Sequence, residues 1–380
     1  MKVSEVFPDR ISLLGYGLMR LPRLAGMASG IDYETASKLI DHAIANGVNI
    51  FDTAYTYHGC EEFSGYALSA YPRDSYYLST KCPPWMVEDA GDFERIFSEQ
   101  CRRCRTDYFD FYLMHNLAKE NKRAAGNEEH FERFINSDFY DMLKQKKSEG
   151  RIRRLGFSYH GTIEILRKLV DRFEWDFALI QLNYVDWAAT GAKGQYELLA
   201  ERGIPVMIME PLRGGTLANL SSDAAALLKN ARADASIASW GVRYAASLPN
   251  VVTVLSGMSE IAHLDDNLAT MANFVPVDDS ERSLLYEAAA VNSKSGAIAC
   301  TGCGYCLPCP NGVDIPRIFS IYNYYRHVNF RIPFDNGYST LSQSENASGC
   351  TDCGQCVDRC PQDLAIPGHL TEIDAFAKQG

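Results

Sequence analysis

Phe51-Asp52-Thr53-Ala54-Tyr55-Thr56-Tyr57-His58-Gly59 follows Val48-Asn49-Ile50, and the apolar run 48–51 reads as a short buried strand ending in Asp52. Tyr57 comes five residues after Asp52, on the loop that must follow such a strand. A carboxylate at a strand end and a tyrosine on the next loop are parts of a proton-donating site. A bare tyrosine, with a pKa of about 10, is a poor acid at neutral pH. A nearby ammonium favours its ionised form, and a carboxylate would hold that ammonium in place. The stretch therefore asks for a lysine elsewhere. Taken alone, Asp52 and Tyr57 also read as an N-capping carboxylate and a packed ring.

On either side, short apolar runs recur. Candidate strands end at Gly15 to Gly17, Asp52, Lys81, His115, Ser158, Asn183, Glu210 and Ser256. The segments between them fit amphipathic helices. Ala36, Leu39, Ile40, Ala43 and Ile44 fall at i, i+3, i+4, i+7 and i+8, the spacing of one helical face. Asp32 is placed to cap that helix and Gly47 to end it. Similar patterns cover 93–105, 139–147, 163–173, 235–247 and 261–271. Eight strands alternating with helices over about 250 residues predict a (β/α)8 TIM barrel. A doubly wound open sheet is the alternative. Gly15-Tyr16-Gly17 is followed by Leu18-Met19-Arg20, so the dinucleotide fingerprint of that alternative is missing. In a barrel, chemistry sits at the C-terminal strand ends, where Asp52, Lys81 and His115 fall. The polar connection 116–136, with Lys119, Glu120, Lys122, Arg123, Glu128 and Glu129, reads either as a solvated insertion or as a loop over the active face.

The formal net charge of -11 argues against a nucleic-acid-binding face. No apolar run approaches the roughly 18 residues needed to span a membrane. Met1-Lys2-Val3-Ser4-Glu5 lacks the apolar core of a signal peptide, so a cytoplasmic location is expected. Of 12 cysteines, eight lie between Cys300 and Cys360. In a reducing compartment such crowding means metal rather than disulfides.

Lys81 closes the run Leu78-Ser79-Thr80, and His115 closes Phe111-Tyr112-Leu113-Met114. Reducing a carbonyl needs a hydride on carbon and a proton on oxygen. Tyr57 can give the proton, Lys81 with Asp52 can assist it, and a neutral His115 can orient the carbonyl oxygen. With these four residues the sequence resembles the aldo-keto reductase family, over residues 10 to 275. Gly156-Phe157-Ser158, Gln181-Leu182-Asn183, Pro211-Leu212 with Gly214-Gly215, and Ser256-Gly257 with Asp266-Asn267 are similar to further family segments. The resemblance implies a barrel that binds an extended nicotinamide cofactor, NAD or NADP, and interconverts a small-molecule carbonyl with its alcohol. It also implies cofactor contacts at Ser158, Gln181, Leu212, Gly214, Ser256, Asp266 and Asn267.

Three departures stand out. Tyr159 and His160 follow Ser158 where the family places Asn. Met209-Glu210 stands where a ring-stacking aromatic is usual. Ser259-Glu260 stands where NADP users carry a base, and a glutamate would repel a 2′-phosphate.

Near Asn292-Ser293-Lys294-Ser295-Gly296 the strand–helix rhythm stops, which sets domains of 1–292 and 293–380. The second contains Cys300-x2-Cys303-x2-Cys306-x2-Cys309-Pro310 and Cys350-x2-Cys353-x2-Cys356-x3-Cys360-Pro361. The second run is that of bacterial ferredoxins; the first is one residue short before its last cysteine. Zinc prefers four cysteines in two pairs, and the triplet spacing weighs against it. The region resembles ferredoxins with two 4Fe-4S clusters. On that pattern Cys300, Cys303, Cys306 and Cys360 hold one cluster, and Cys350, Cys353, Cys356 and Cys309 the other. A helical stretch is expected over 316–327. Cys101 and Cys104 read as helix packing, and Cys60 and Cys82 as pocket walls.

The whole reads as an oxidoreductase barrel fused to a small, mainly helical ferredoxin-like domain whose clusters relay electrons, with a ferredoxin or other redox protein as partner. The alternatives are an electron-transfer enzyme with another organic cofactor, and a regulatory or binding module that no longer turns over NAD(P)H.

Overall fold

The computed structural model of the chain describes residues 1–24, 30–117 and 127–379. The middle of the connection 116–136, read either as a solvated insertion or as a loop over the active face, lies outside the described residues; its last part forms a helix, Asn127–Asn136. Two compact units divide the chain. One holds the barrel, and the other gathers Leu212–Trp240 with the chain from Asp278 onward.

In the first unit eight parallel strands close into a barrel in chain order. They are β1 (Leu14–Gly17), β2 (Ile50–Asp52), β3 (Tyr77–Cys82), β4 (Phe109–Met114), β5 (Ile152–Tyr159), β6 (Phe177–Gln181), β7 (Val206–Met209) and β8 (Val251–Ser256). Strands of a parallel sheet are covered on both faces, so they read as continuous apolar runs; every residue of β4 is buried. The expected (β/α)8 barrel is thus present.

Differences at the strand ends have local causes. β6 stops at Gln181 because Asn183 leaves the sheet to cap the next helix, its Oδ1 accepting from Val185 N at 3.0 Å and Asp186 N at 2.9 Å. β7 stops at Met209 because Glu210 turns left-handed, with φ 55°. Asp32 does cap Tyr33–Ala45, accepting from Thr35 N at 3.1 Å. The helix Ala90–Cys104 starts ahead of Phe93 because Asp89 caps it, accepting from Asp92 N at 3.0 Å.

Residues 1–12 carry no periodic pattern, yet they have a place in the barrel. Val3 bridges Ser12 antiparallel, and Ile11 packs with Ile50, Phe111, Phe177 and Val252. Phe7 sits 6.3 Å from Phe111, centroid to centroid. The segment plugs the barrel interior, as such interiors are filled rather than open.

The second unit is helical, with no strand among its described residues. Asp279–Ser293 begins in a capping box of Asp278 and Glu281 and packs on Ser222–Ala231. Ile315–Val328, Ile332–Tyr338 and Ile366–Ala377 surround a core that includes Ile318, Phe319, Phe334, Leu370 and Ile373. Buried Asn323 exchanges two hydrogen bonds with the backbone of Ile298, each 2.7 Å. That fixes the chain just ahead of Cys300. No helix among the described residues is long and apolar enough to cross a membrane.

Candidate active site and metal centre

β2, β3 and β4 deliver Asp52, Lys81 and His115 to one end of the barrel. Lys81 Nζ lies 2.5 Å from Asp52 Oδ2 and donates to Thr53 O at 2.7 Å. Ser79 Oγ donates to the other oxygen, Asp52 Oδ1, at 2.7 Å. Lys81 is 1% exposed and Asp52 4%, so each charge depends on the other: an unpaired buried ion is strongly disfavoured. Burial pulls the lysine below its ordinary value, and Asp52 opposes that shift.

Lys81 Nζ also lies 4.8 Å from the centre of the Tyr57 ring. The Tyr57 and His115 rings meet edge to face, 5.9 Å apart at 87°. Burial, then Lys81 and His160, hold His115 well below the usual histidine value, so its ring is neutral. Thr56 Oγ1 lies 3.4 Å from His115 Nδ1, and exposed Trp85 lies 5.4 Å from the ring. The four candidate residues are thus together. Ser79, Thr56 and Trp85 were not singled out from the sequence; an alternating polar residue in β3 was the available signal for Ser79. Burial pushes the Cys60 and Cys82 thiols up to about 12 each, which suits walls.

Behind β3, Glu61 is fully buried. Its Oε1 accepts from Thr80 Oγ1 at 2.7 Å and from Gln100 Nε2 at 2.9 Å, and Oε2 faces Arg103 at 3.2 Å. Gln100 Nε2 also lies 3.1 Å from the Lys81 carbonyl. The strand that carries Lys81 is therefore braced from outside the barrel.

The expected cofactor contacts fall in both units. In the first, Ser158 Oγ accepts from Asn116 N at 2.8 Å, and Gln181 Nε2 donates to Asp186 Oδ2 at 2.8 Å. Asn267 Nδ2 donates to Ser256 Oγ at 2.8 Å, and Asp266 precedes it on the helix Ile261–Ala272. Asn116 was missed. It is left-handed, φ 52°, and its Oδ1 is buried with no hydrogen-bond partner among the described residues. At the end of β7 an ion pair replaces the expected aromatic: Glu210 Oε1 meets Arg20 Nη2 at 3.0 Å, and the Arg20 side chain passes over Gly257. In the second unit, Leu212 precedes and Gly214 lies in the 3-10 segment Arg213–Ala218, with left-handed backbone at Arg213 (φ 45°), Gly214 (67°) and Gly215 (96°).

The eight thiols form two sets that cross the two runs. Cys306 has Cys303, Cys300 and Cys360 as neighbours, and Cys356 has Cys350, Cys353 and Cys309. Burial, with these neighbours, pushes Cys306 well up and Cys356 up to about 11. No three His, Cys, Asp or Glu among the described residues converge on a single-ion position. Zinc would draw its thiolates to about 2.3 Å of one point, whereas a cubane spreads them around its corners. Gly302 N donates to Cys300 Sγ at 3.3 Å, a bond of the kind that stabilises a cluster-bound thiolate. Cys360 is buried and Cys353 exposed. A cleft is lined by Cys309, Cys350, Cys353 and Cys356, with Cys306 of the other set at its edge. The residues present fit two four-iron clusters.

Comparison with known proteins agrees. Residues 13–289 match the model of the aldo/keto reductase family, and residues 299–365 that of a 4Fe-4S dicluster domain. L-galactose dehydrogenase of Arabidopsis thaliana is 23% identical over 299 residues, 72% of this chain and 89% of that protein. An aldo-keto reductase from Klebsiella pneumoniae, solved in complex with NADPH, superposes with a TM-score of 0.60 at 21% identity, covering 76% of this chain and 95% of its own. One from Bacillus halodurans, in its holo form, gives 0.57 at 23%, with 76% and 95% covered. The two structures share the barrel.

Proposed function

The chain belongs to the aldo/keto reductase family and is an oxidoreductase with a 4Fe-4S dicluster domain; from that premise we propose that it interconverts a small-molecule carbonyl and its alcohol. The observation that carries this reading is the clamp on Lys81, held by Asp52 at 2.5 Å and set 4.8 Å from the Tyr57 ring. Tyr57 gives its hydroxyl proton to the carbonyl oxygen as that oxygen becomes an alkoxide. Lys81, fixed as an ammonium by Asp52, balances the phenolate charge left behind. Neutral His115 hydrogen-bonds the carbonyl oxygen and orients it without competing for the proton. In the oxidising direction each role reverses.

When bound, a nicotinamide nucleotide supplies or takes the hydride at the carbonyl carbon. Ser158, Gln181, Ser256, Asp266, Asn267, Leu212 and Gly214 are the residues we assign to hold it. The buried Oδ1 of Asn116, beside Ser158 and with no hydrogen-bond partner among the described residues, suits the amide N–H of a carboxamide. The NADPH bound by the Klebsiella relative and the sugar named in the Arabidopsis one support a nucleotide cofactor and a polyhydroxylated or similar small substrate. Cys300, Cys303, Cys306 and Cys360, and Cys309, Cys350, Cys353 and Cys356, hold the two clusters, which supply one-electron transfer with a ferredoxin-like partner. We set the boundary between catalytic and cluster domains at 292/293.

Tyr57→Phe tests the proton donor. Carbonyl reduction, measured in single turnovers with nucleotide saturating, falls by about two orders of magnitude or more, the usual scale of general acid catalysis. Near-normal turnover by a folded variant removes Tyr57 from the chemistry.

A further inference from the structure

Gly214 lies against Thr301. A Cβ added at Gly214 would overlap the carbonyl oxygen and carbon of Thr301, and both are backbone atoms that cannot swing away. Thr301 is 3% exposed and directly follows Cys300. The segment around Gly214 is closed on itself: Gly215 N and Leu217 N both donate to Leu212 O, at 2.9 and 3.1 Å. Leu212–Trp240 as a whole falls in the compact unit of the cysteine runs and not in that of the barrel strands.

We infer that the loop after β7 and the first cluster stabilise each other through the Gly214–Thr301 contact, so that nucleotide binding and retention of the first cluster are coupled. This rests on the proposed nucleotide reading of Leu212 and Gly214. The physical chain is short. The run 300–306 has no regular secondary structure, so its path depends on what Cys300, Cys303 and Cys306 bind. With those thiolates tied to iron, Thr301 is fixed and its backbone supports the left-handed loop. With them released, the loop loses one wall. Coupling between two sites is reciprocal in binding free energy, so a nucleotide that needs the loop in this shape must slow iron loss. Gly215 is the internal control. It too is left-handed, φ 96°, but nothing lies within 4 Å of a Cβ built there. Alanine at either position strains the backbone, and only alanine at 214 displaces Thr301.

The test uses full-length, cluster-loaded protein kept anaerobic. Iron release to a chelator is followed by absorbance for wild type, Gly214→Ala and Gly215→Ala, with and without saturating NADH or NADPH. The phase belonging to the first cluster is the one absent from Cys303→Ser. Hydrogen exchange of 212–219 is read in the same samples, and nucleotide affinity by titration. The expected result is that Gly214→Ala loses the first cluster about tenfold faster, within the usual range for coupled sites, and exchanges faster over 212–219. Gly215→Ala stays close to wild type on both, and nucleotide slows the loss in wild type and Gly215→Ala but not in Gly214→Ala. Equal behaviour of the two alanine variants overturns the inference whatever the nucleotide does. So does a wild-type protein that binds nucleotide but releases iron at an unchanged rate. If wild type binds neither nucleotide, the nucleotide reading fails, and the contrast between the alanine variants still decides whether the contact holds the cluster. If Gly214→Ala never loads the first cluster, its exchange over 212–219 is compared with that of Cys303→Ser: matching patterns support the contact, and a wild-type pattern contradicts it.

Discussion

His115 carries its consequence in its surroundings. Protonating it would place a cation in a buried site beside the Lys81 ammonium, which is why its value is depressed. The unfolded chain holds an ordinary histidine with a pKa of about 6.5. Between that value and the lower folded one, the unfolded state binds more protons, so stability rises with pH there. The contribution is full above pH of about 6.5 and is lost as pH falls toward the folded value, by at most about 1.4 kcal/mol per pH unit. The midpoint of thermal unfolding should fall between pH 7 and pH 5, and His115→Gln should flatten that dependence, leaving the slope of the carboxylates. An unchanged slope in the variant would place the acid sensitivity elsewhere. At this scale the sequence was informative where chemistry restricts the choice of side chain. Asp52, Tyr57, Lys81 and His115 were nominated because few residue types suit the proposed tasks, and the fold brings the four together. Ser79, Thr56 and Asn116 could not, since Ser, Thr and Asn are common at strand ends and only the folded backbone aims them.

Strands and helices were legible because a parallel barrel imposes long-range order on local patterns. Each strand is a buried apolar run, and each helix shows one apolar face. What remained hidden was the behaviour of the ends. Asn183 caps a helix instead of finishing β6, and Glu210 turns left-handed to meet Arg20. Both depend on partners far away in sequence. The N-terminal plug was hidden for a similar reason, being too short to show a period. The loop after β8 bears on cofactor choice. Glu260 is exposed at the N-terminal cap of Ile261–Ala272 and makes no capping bond. A carboxylate there repels a phosphate dianion, and Arg20 beside Gly257 is already engaged by Glu210. NADH should therefore bind comparably to NADPH, and Glu260→Arg should shift preference toward NADPH by about tenfold, the equivalent of one charge-assisted contact. Titration of both nucleotides against both proteins checks this. A wild-type preference for NADPH of about a hundredfold, roughly two such contacts, would mean that another base meets the phosphate.

In the molecule as a whole, cysteine spacing alone announced a metal domain, and the crossed sets around Cys306 and Cys356 follow from how the two runs fold together. The spacing did not announce that Leu212–Trp240 belongs to the same compact unit as the cysteines, because contacts such as Gly214 with Thr301 join positions far apart in the chain. Metal binding is folding energy for a small domain, so a structural role is a real competitor to electron relay. The relay is motivated by two complete cysteine sets and by the exposure of Cys353. The deciding measurement is Cys353→Ser, prepared anaerobically, verified as folded by near-ultraviolet circular dichroism and as lacking one cluster by electron paramagnetic resonance. Turnover is then assayed with a nicotinamide donor and, separately, with reduced methyl viologen as a one-electron donor. A relay predicts that the viologen-driven reaction collapses while the nicotinamide-driven reaction persists; both rates unchanged in the folded, cluster-depleted protein would contradict it.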